Sequence, residues 1–244
     1  MISVICVYNN KAQFEAQLKK SLNQQNTDYE LIALDNCDNK FKSAAQALNY
    51  GAGKSKGDIL IFSHQDIYFK AENELKELAD SIASCEAGSV IGVQGVIDNS
   101  NTYYSNITAG EAFNSDFCND YEKALYEVSC VDEGLFGMKK STWQIHNFDE
   151  ELCYNWHLYA VEQCLYARSN NYKVYVYPSQ VHHFSYGKIS LSYMLNLKKL
   201  CKFYRDSFKY IWTTCYKVKT NPIYINTLIF IWTVNRIVKR KPLN

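Results

Sequence analysis

No two of the nine cysteines have the C-x-x-C spacing. That absence, with the odd total, argues against a disulfide framework and a cysteine zinc cluster. Reduced, mostly buried thiols of a cytoplasmic protein are expected instead. No internal repeat or low-complexity tract is visible. With 47% apolar and 21% charged residues among 244, composition does not suggest disorder, and one large domain can bury a core. No apolar run reaches the ~20 residues of a bilayer crossing; residues 223–234 come nearest and include Asn226. Neither a basic lead nor a small-residue cleavage site accompanies residues 1–7, which therefore read as a strand and not a signal peptide. Net charge is only +1, but it is uneven. Residues 188–244 carry twelve Lys/Arg and one acid, Asp206, whereas residues 1–187 carry 14 Lys/Arg and 24 Asp/Glu. Such a basic tail, rich in Tyr and Trp, is expected to meet a membrane surface peripherally; nucleic acid is not expected as a partner.

What is present is an alternation of element types. Short β-branched runs at 2–7, 31–34, 59–62 and 89–97 read as buried strands. Between them, Phe14/Leu18/Leu22, Ala44/Ala45/Ala47/Leu48 and Leu75/Leu78/Ile82 recur at helical spacing. This order predicts an α/β fold with a mostly parallel sheet flanked by helices. Ligands of such sheets bind outside the carboxyl ends of the strands. Tyr8/Asn9, Asp35 and His64/Asp66 all stand at those ends. Further on, 98–120 reads as polar loop and 126–131 and 135–138 as strands. A helix is expected at 156–168, a strand at 173–177, and two tail helices separated by Pro222.

Phosphate loops are missing. Gly51-Ala-Gly-Lys-Ser55 resembles the end of a P-loop, but Leu48 stands where its first glycine belongs, and the segment follows a helix instead of a strand. The ordered set of Ser3-Val-Ile-Cys-Val-Tyr-Asn9, Leu22-Asn-Gln-Gln25, Glu30-Leu-Ile-Ala-Leu-Asp-Asn36, Ala47-Leu-Asn-Tyr-Gly-Ala52, Lys56-Gly-Asp-Ile-Leu-Ile-Phe62 and His64-Gln-Asp66 is more specific. Together these resemble family 2 glycosyltransferases of the GT-A fold over residues 1–187, in a bacterial subgroup with His-Gln-Asp in place of Asp-x-Asp. The resemblance implies a nucleotide-binding half at 1–97, an acceptor-binding half at 98–187 and the tail at 188–244.

The chemistry needs a divalent cation, because a departing nucleoside diphosphate must be neutralised as the glycosidic bond breaks. Asp66 is the expected ligand of Mn²⁺ or Mg²⁺, and the resemblance adds His183, with His182 beside it as the other choice. It also implies Asp35 and Tyr8 at the base, His64 at the ribose, and Asp132 and Glu133 as sugar or acceptor contacts. Glu162, on the inward face of the 156–168 helix, is expected to deprotonate the acceptor. The resemblance implies an inverting transfer: a sugar is expected to pass from a UDP-linked nucleotide-sugar donor to a glycan or lipid-linked acceptor of bacterial surface polysaccharide assembly. Two alternatives stay open. One is a non-catalytic binding or scaffold subunit, the other a nucleotidyltransferase, which the Tyr8-Asn9-Asn10 turn disfavours.

Overall fold

The structure is a computed structural model, and it describes residues 1–98, 103–114, 119–187 and 189–239. Its centre is a seven-stranded sheet. In spatial order the strands are Tyr29–Asp35, Ile2–Tyr8, Ile59–Ser63, Leu135–Lys139, Val90–Gly92, Val174–Val176 and Tyr126–Glu127. The first three are mutually parallel. Leu135–Lys139 runs against both of its neighbours, so Val90–Gly92 and Val174–Val176 point the same way as the first three. The central strand Ile59–Ser63 is buried at every residue, as a strand covered by helices on both faces must be. Helices Ala44–Lys54 and Tyr159–Ser169 belong to one apolar cluster and Glu74–Ser84 to the other, one on each side of the sheet.

Gly51 explains part of the glycine motif that mimics a P-loop. It lies inside helix Ala44–Lys54, where an added Cβ would stand 2.6 Å from the Ile5 side chain. The glycine lets the helix close onto the first strand.

Two expected strands are broken in the fold. The run at 89–97 leaves the main sheet after Gly92 and continues as Gln94–Val96 in a second, three-stranded sheet. The run at 126–131 divides likewise into Tyr126–Glu127 and Cys130–Val131. Gly92 and Gly95 allow the close crossing; a Cβ on either would meet Val131 or the Cys130 carbonyl at 2.4 and 2.6 Å. The segment read as polar loop contributes Tyr103–Ser105 and Thr108–Ala109, which add to small sheets. Tyr103–Ser105 pairs antiparallel with nearby Gln94–Val96, whereas Thr108–Ala109 pairs with distant Val181–His183; no local alternation announces either.

The tail differs from two helices in series. Helix Leu191–Phe203 is followed by an antiparallel hairpin, Tyr210–Trp212 with Lys217–Lys219, and then by helix Pro222–Val238. Pro222 opens the last helix behind the cap Asn221, whose Oδ1 accepts from the N–H groups of Ile223 and Tyr224. Met194, Leu197, Leu200, Ile211 and Val218 are fully buried and belong to the same apolar cluster as the main sheet.

Candidate active site

The first three strands end together, because Tyr8 pairs with Asp35 and Cys6 with Ser63 in register. Just past Ser63 the chain turns through His64-Gln-Asp66 into strand Ile67–Phe69. Gln65 fastens this turn. Its Oε1 accepts from the N–H groups of Asn9 and Asn10, and its Nε2 donates to Asn9 Oδ1 and Gln13 Oε1. The middle residue of the motif therefore positions the two that flank it. On the other side, the His64 N–H donates to the Gly134 carbonyl.

His183 reaches the same place from a distant strand. Val181–His183 pairs antiparallel with Ile67–Phe69, His183 lies opposite Ile67, and the Phe184 N–H donates to the Asp66 carbonyl. Successive strand residues point to opposite faces. His182 accordingly turns into the protein, where its two ring nitrogens meet Thr108 Oγ1 at 2.8 Å and the Gly110 carbonyl at 3.0 Å. His183 faces Asp66, Nε2 to Oδ1, at 3.3 Å.

His64, Asp66 and His183 offer three ligand atoms within 4.8 Å of one another. His64, expected at the ribose, thus also joins Asp66 and His183 in a set that could hold a metal ion. Its Nε2 lies 2.9 Å from the Tyr159 hydroxyl. With Nε2–H donating to that oxygen, the Nδ1 lone pair is directed to Asp66, the tautomer a cation requires. Burial, followed by the neighbouring His183, lowers the His64 pKa and favours this neutral form. Burial raises the Asp66 carboxyl, but the His183 hydrogen bond and the two imidazoles outweigh it and hold the pKa at about 2. Two imidazoles and one ionised carboxylate form a donor set that fits a divalent cation.

Burial lowers the His183 pKa, yet the Asp66 hydrogen bond overrides it and raises the net value. The Asp66 contribution to stability is complete above its ordinary 3.8 and is lost as pH falls toward 2. The His183 contribution is complete below its ordinary 6.5 and disappears as pH rises through its elevated value. Without metal, His183→Gln is therefore expected to lower the melting temperature more at about pH 5.5 than at about pH 8.5. Added Mn²⁺ should show the opposite trend, stabilising the wild type most at the higher pH, because the ligand imidazole must shed its proton. Thermal melts across that range check both slopes.

Beside the triad lies a cavity of roughly 300 Å³, lined among others by Tyr8, Asn9, Asn36, Asn39, Trp156 and Tyr159. Tyr8 stacks on Phe14 at 4.6 Å and stands beside Asp35 at the strand ends. Asp35 is exposed at the rim, and the Cys37 N–H bound to its Oδ1 is the first of the groups that lower its pKa. Asp132 borders the triad from the Gly134 side: a Cβ on Gly134 would lie 3.2 Å from Asp132 Oδ1 and 3.5 Å from His183 Cε1. Its two oxygens accept from the Gly134 N–H and the Thr214 hydroxyl. Glu133 points instead toward the start of helix Tyr159–Ser169. Burial and the Asp132 charge push its pKa well above the usual range, against the pull of the backbone N–H groups of Leu158, Tyr159 and Ala160.

Glu162 stands apart from the triad. It is inward and fully buried, as its helical position suggests, but it does not line the cavity beside the triad. Its carboxylate accepts from the Tyr204 hydroxyl at 2.7 Å and meets His146 Nε2 at 2.9 Å, next to a separate cavity. The partner Tyr204 ends the first tail helix, so local spacing could not reveal it. Arg168 pairs with Asp98 and Lys173 with Glu127, not with Glu162. Sequence reasoning missed Gln65, Trp156 and Tyr159. Tyr159 opens its helix directly after the left-handed Leu158, at φ 66°; strained backbone of this kind clusters at functional sites, but only the structure displays it.

Three solved structures share this architecture. GalNAc-T7 with UDP, GalNAc and Mn²⁺ matches all of the chain and 58% of its own, with TM-score 0.58 and 12% identity. TarS 1-349 of S. aureus with UDP-GlcNAc matches 82% of the chain and 65% of its own (TM-score 0.53, 14% identity). The mannosyltransferase PcManGT from Pyrobaculum calidifontis with GDP-Man and Mn²⁺ matches 84% and 63% (TM-score 0.55, 12% identity). The chain thus spans 58–65% of the length of these structures, and at such identities the likeness shows the shared GT-A fold. No curated protein matches the chain. A family model described as "glycosyltransferase like family" matches residues 3–204, and the chain belongs to that family.

Proposed function

We propose that the chain moves a glycosyl group from a nucleoside-diphosphate sugar, UDP-linked, to a hydroxyl of a glycan or lipid-linked acceptor. The observation that carries this reading is the His64–Asp66–His183 cluster beside a cavity at the ends of the parallel strands. A bound cation would supply Lewis-acid neutralisation of the departing diphosphate. Two imidazoles suit Mn²⁺ better than Mg²⁺, which prefers oxygen ligands alone. Tyr8 and Asp35 hold the base, and Trp156 and Tyr159 close the cavity wall around the donor. The transfer is a single inverting displacement, and Asp132, not Glu162, takes the acceptor proton. Asp132 is partly exposed and borders the triad, whereas Glu162 is enclosed by its own partners.

Calorimetry with UDP in the presence and absence of Mn²⁺, followed by hydrolysis assays on a panel of nucleotide sugars, tests the proposal. UDP binding that tightens at least tenfold with Mn²⁺ is expected, together with turnover of one donor. Absence of any metal-linked nucleotide binding overturns the reading, and binding without turnover on any donor turns it into a non-catalytic subunit. Asp132→Asn is expected to reduce turnover by roughly 10²–10⁴-fold, the usual worth of a positioned base. Mn²⁺ uptake should persist in that variant, because the triad is intact.

A further inference from the structure

The last helix, Pro222–Val238, is apolar on two sides. Its inner side packs Ile225, Leu228, Ile229 and Trp232 against the main core. The opposite stripe, at helical spacing, carries Ile223, Phe230, Ile231, Val234, Ile237 and Val238 in solvent. Ile223, Phe230 and Val238 are 77%, 68% and 74% exposed. An outward apolar stripe is costly in water and marks a contact surface. The helix has 17 residues, and no helix among the described residues is long and apolar enough to cross a membrane.

Charge identifies the occupant. Exposed cations flank the helix: Lys217 and Lys219 lie on the hairpin before it and Lys239 at its end, while the Arg236 guanidinium lies 5.0 Å from the ring of the inward Trp232. Lys219 Nζ lies 5.8 Å from the ring of Tyr224, which ties the basic hairpin to the start of the helix. A second copy of the chain would bring these like charges together, in a segment with twelve basic residues and one acid. An anionic lipid surface accepts both the stripe and the cations, as interfacial helices do. We propose that helix Pro222–Val238 and the neighbouring hairpin dock the protein on a negatively charged lipid surface, with the Phe230/Ile237 stripe entering the headgroup region. Lys217, Lys219, Phe230 and Ile237 lie outside the triad and its cavity, although the hairpin turn touches Asp132 through Thr214; the inference does not rest on the transfer reaction.

Sedimentation with phosphatidylcholine vesicles, with and without phosphatidylglycerol, tests it on the full chain. Wild type is expected to sediment with the phosphatidylglycerol vesicles and to release as salt rises. Phe230→Glu/Ile237→Glu should cut the bound fraction at least ~10-fold, through lost apolar burial. Lys217→Glu/Lys219→Glu, which leaves the stripe intact, should weaken binding to anionic vesicles alone. Equal sedimentation of wild type and variants, or none by wild type, overturns the proposal. A wild-type dimer in light scattering that becomes monomeric in the Phe230→Glu/Ile237→Glu variant also overturns it and assigns the stripe to a second copy. UDP uptake with Mn²⁺, measured on the same proteins, reads the transfer site independently.

Discussion

Asp66→Ala is expected to abolish Mn²⁺ uptake and to lower donor turnover by roughly 10²–10³-fold, since Lewis-acid stabilisation of a leaving group is worth several kcal/mol. Asp66 is the only anion of the His64–Asp66–His183 set. Removing it leaves two imidazoles that carry no negative charge for the cation. It also removes the main group that raises the His183 pKa, leaving the weaker effect of Asp132. Asp66→Asn separates charge from shape: it retains an oxygen at nearly the same position but should lose most of the uptake. Calorimetry with Mn²⁺ and UDP, beside a hydrolysis assay, provides both readouts. Unchanged metal affinity in Asp66→Ala would remove this residue from the proposed centre.

Glu162→Ala is expected to destabilise the fold by about 3 kcal/mol while leaving turnover per folded molecule within a few-fold of wild type. The carboxylate is 1% exposed and serves as acceptor for Tyr204 and His146. Burial, with the Glu162 charge beside it, pushes the Tyr204 hydroxyl well up, so this O–H is the donor. Truncation to alanine leaves the buried hydroxyl without its acceptor and opens a void between two helices. Glu162→Gln can still accept from Tyr204 and should lose less. Urea denaturation measures the stability change. A Glu162→Gln protein of normal stability whose turnover has fallen more than a hundredfold would restore Glu162 to catalysis.

The different surroundings of Asp66 and Glu162 separate what local sequence encodes from what packing decides. Asp66 directly follows a strand that local hydrophobicity already marks, and strand ends in parallel sheets converge on one edge. Glu162 lies on a helix whose inward side is equally legible. Which inward neighbour it meets depends on Tyr204, forty-two residues later, and on His146 from a preceding helix. The choice between His182 and His183 had the same character. Alternation states that they point apart, but only the pairing of Val181–His183 with Ile67–Phe69 says which one faces Asp66. Likewise the tail's composition marked it as basic and aromatic, while the hairpin at 210–219 and the outward stripe of the final helix depend on which face the core claims.

By itself the sequence determined the alternation of strands and helices, the parallel first half of the sheet and the placement of Tyr8, Asp35 and Asp66 at its rim. Those follow from periodicity and turn chemistry within a few residues. Tertiary structure decided that His183 and not His182 faces Asp66, that Gln65 braces the turn, that Tyr159 meets His64 and that Glu162 is enclosed elsewhere. The physical reason is separation along the chain: a contact between residues dozens to over a hundred positions apart is set by how whole elements pack, and no local pattern encodes it.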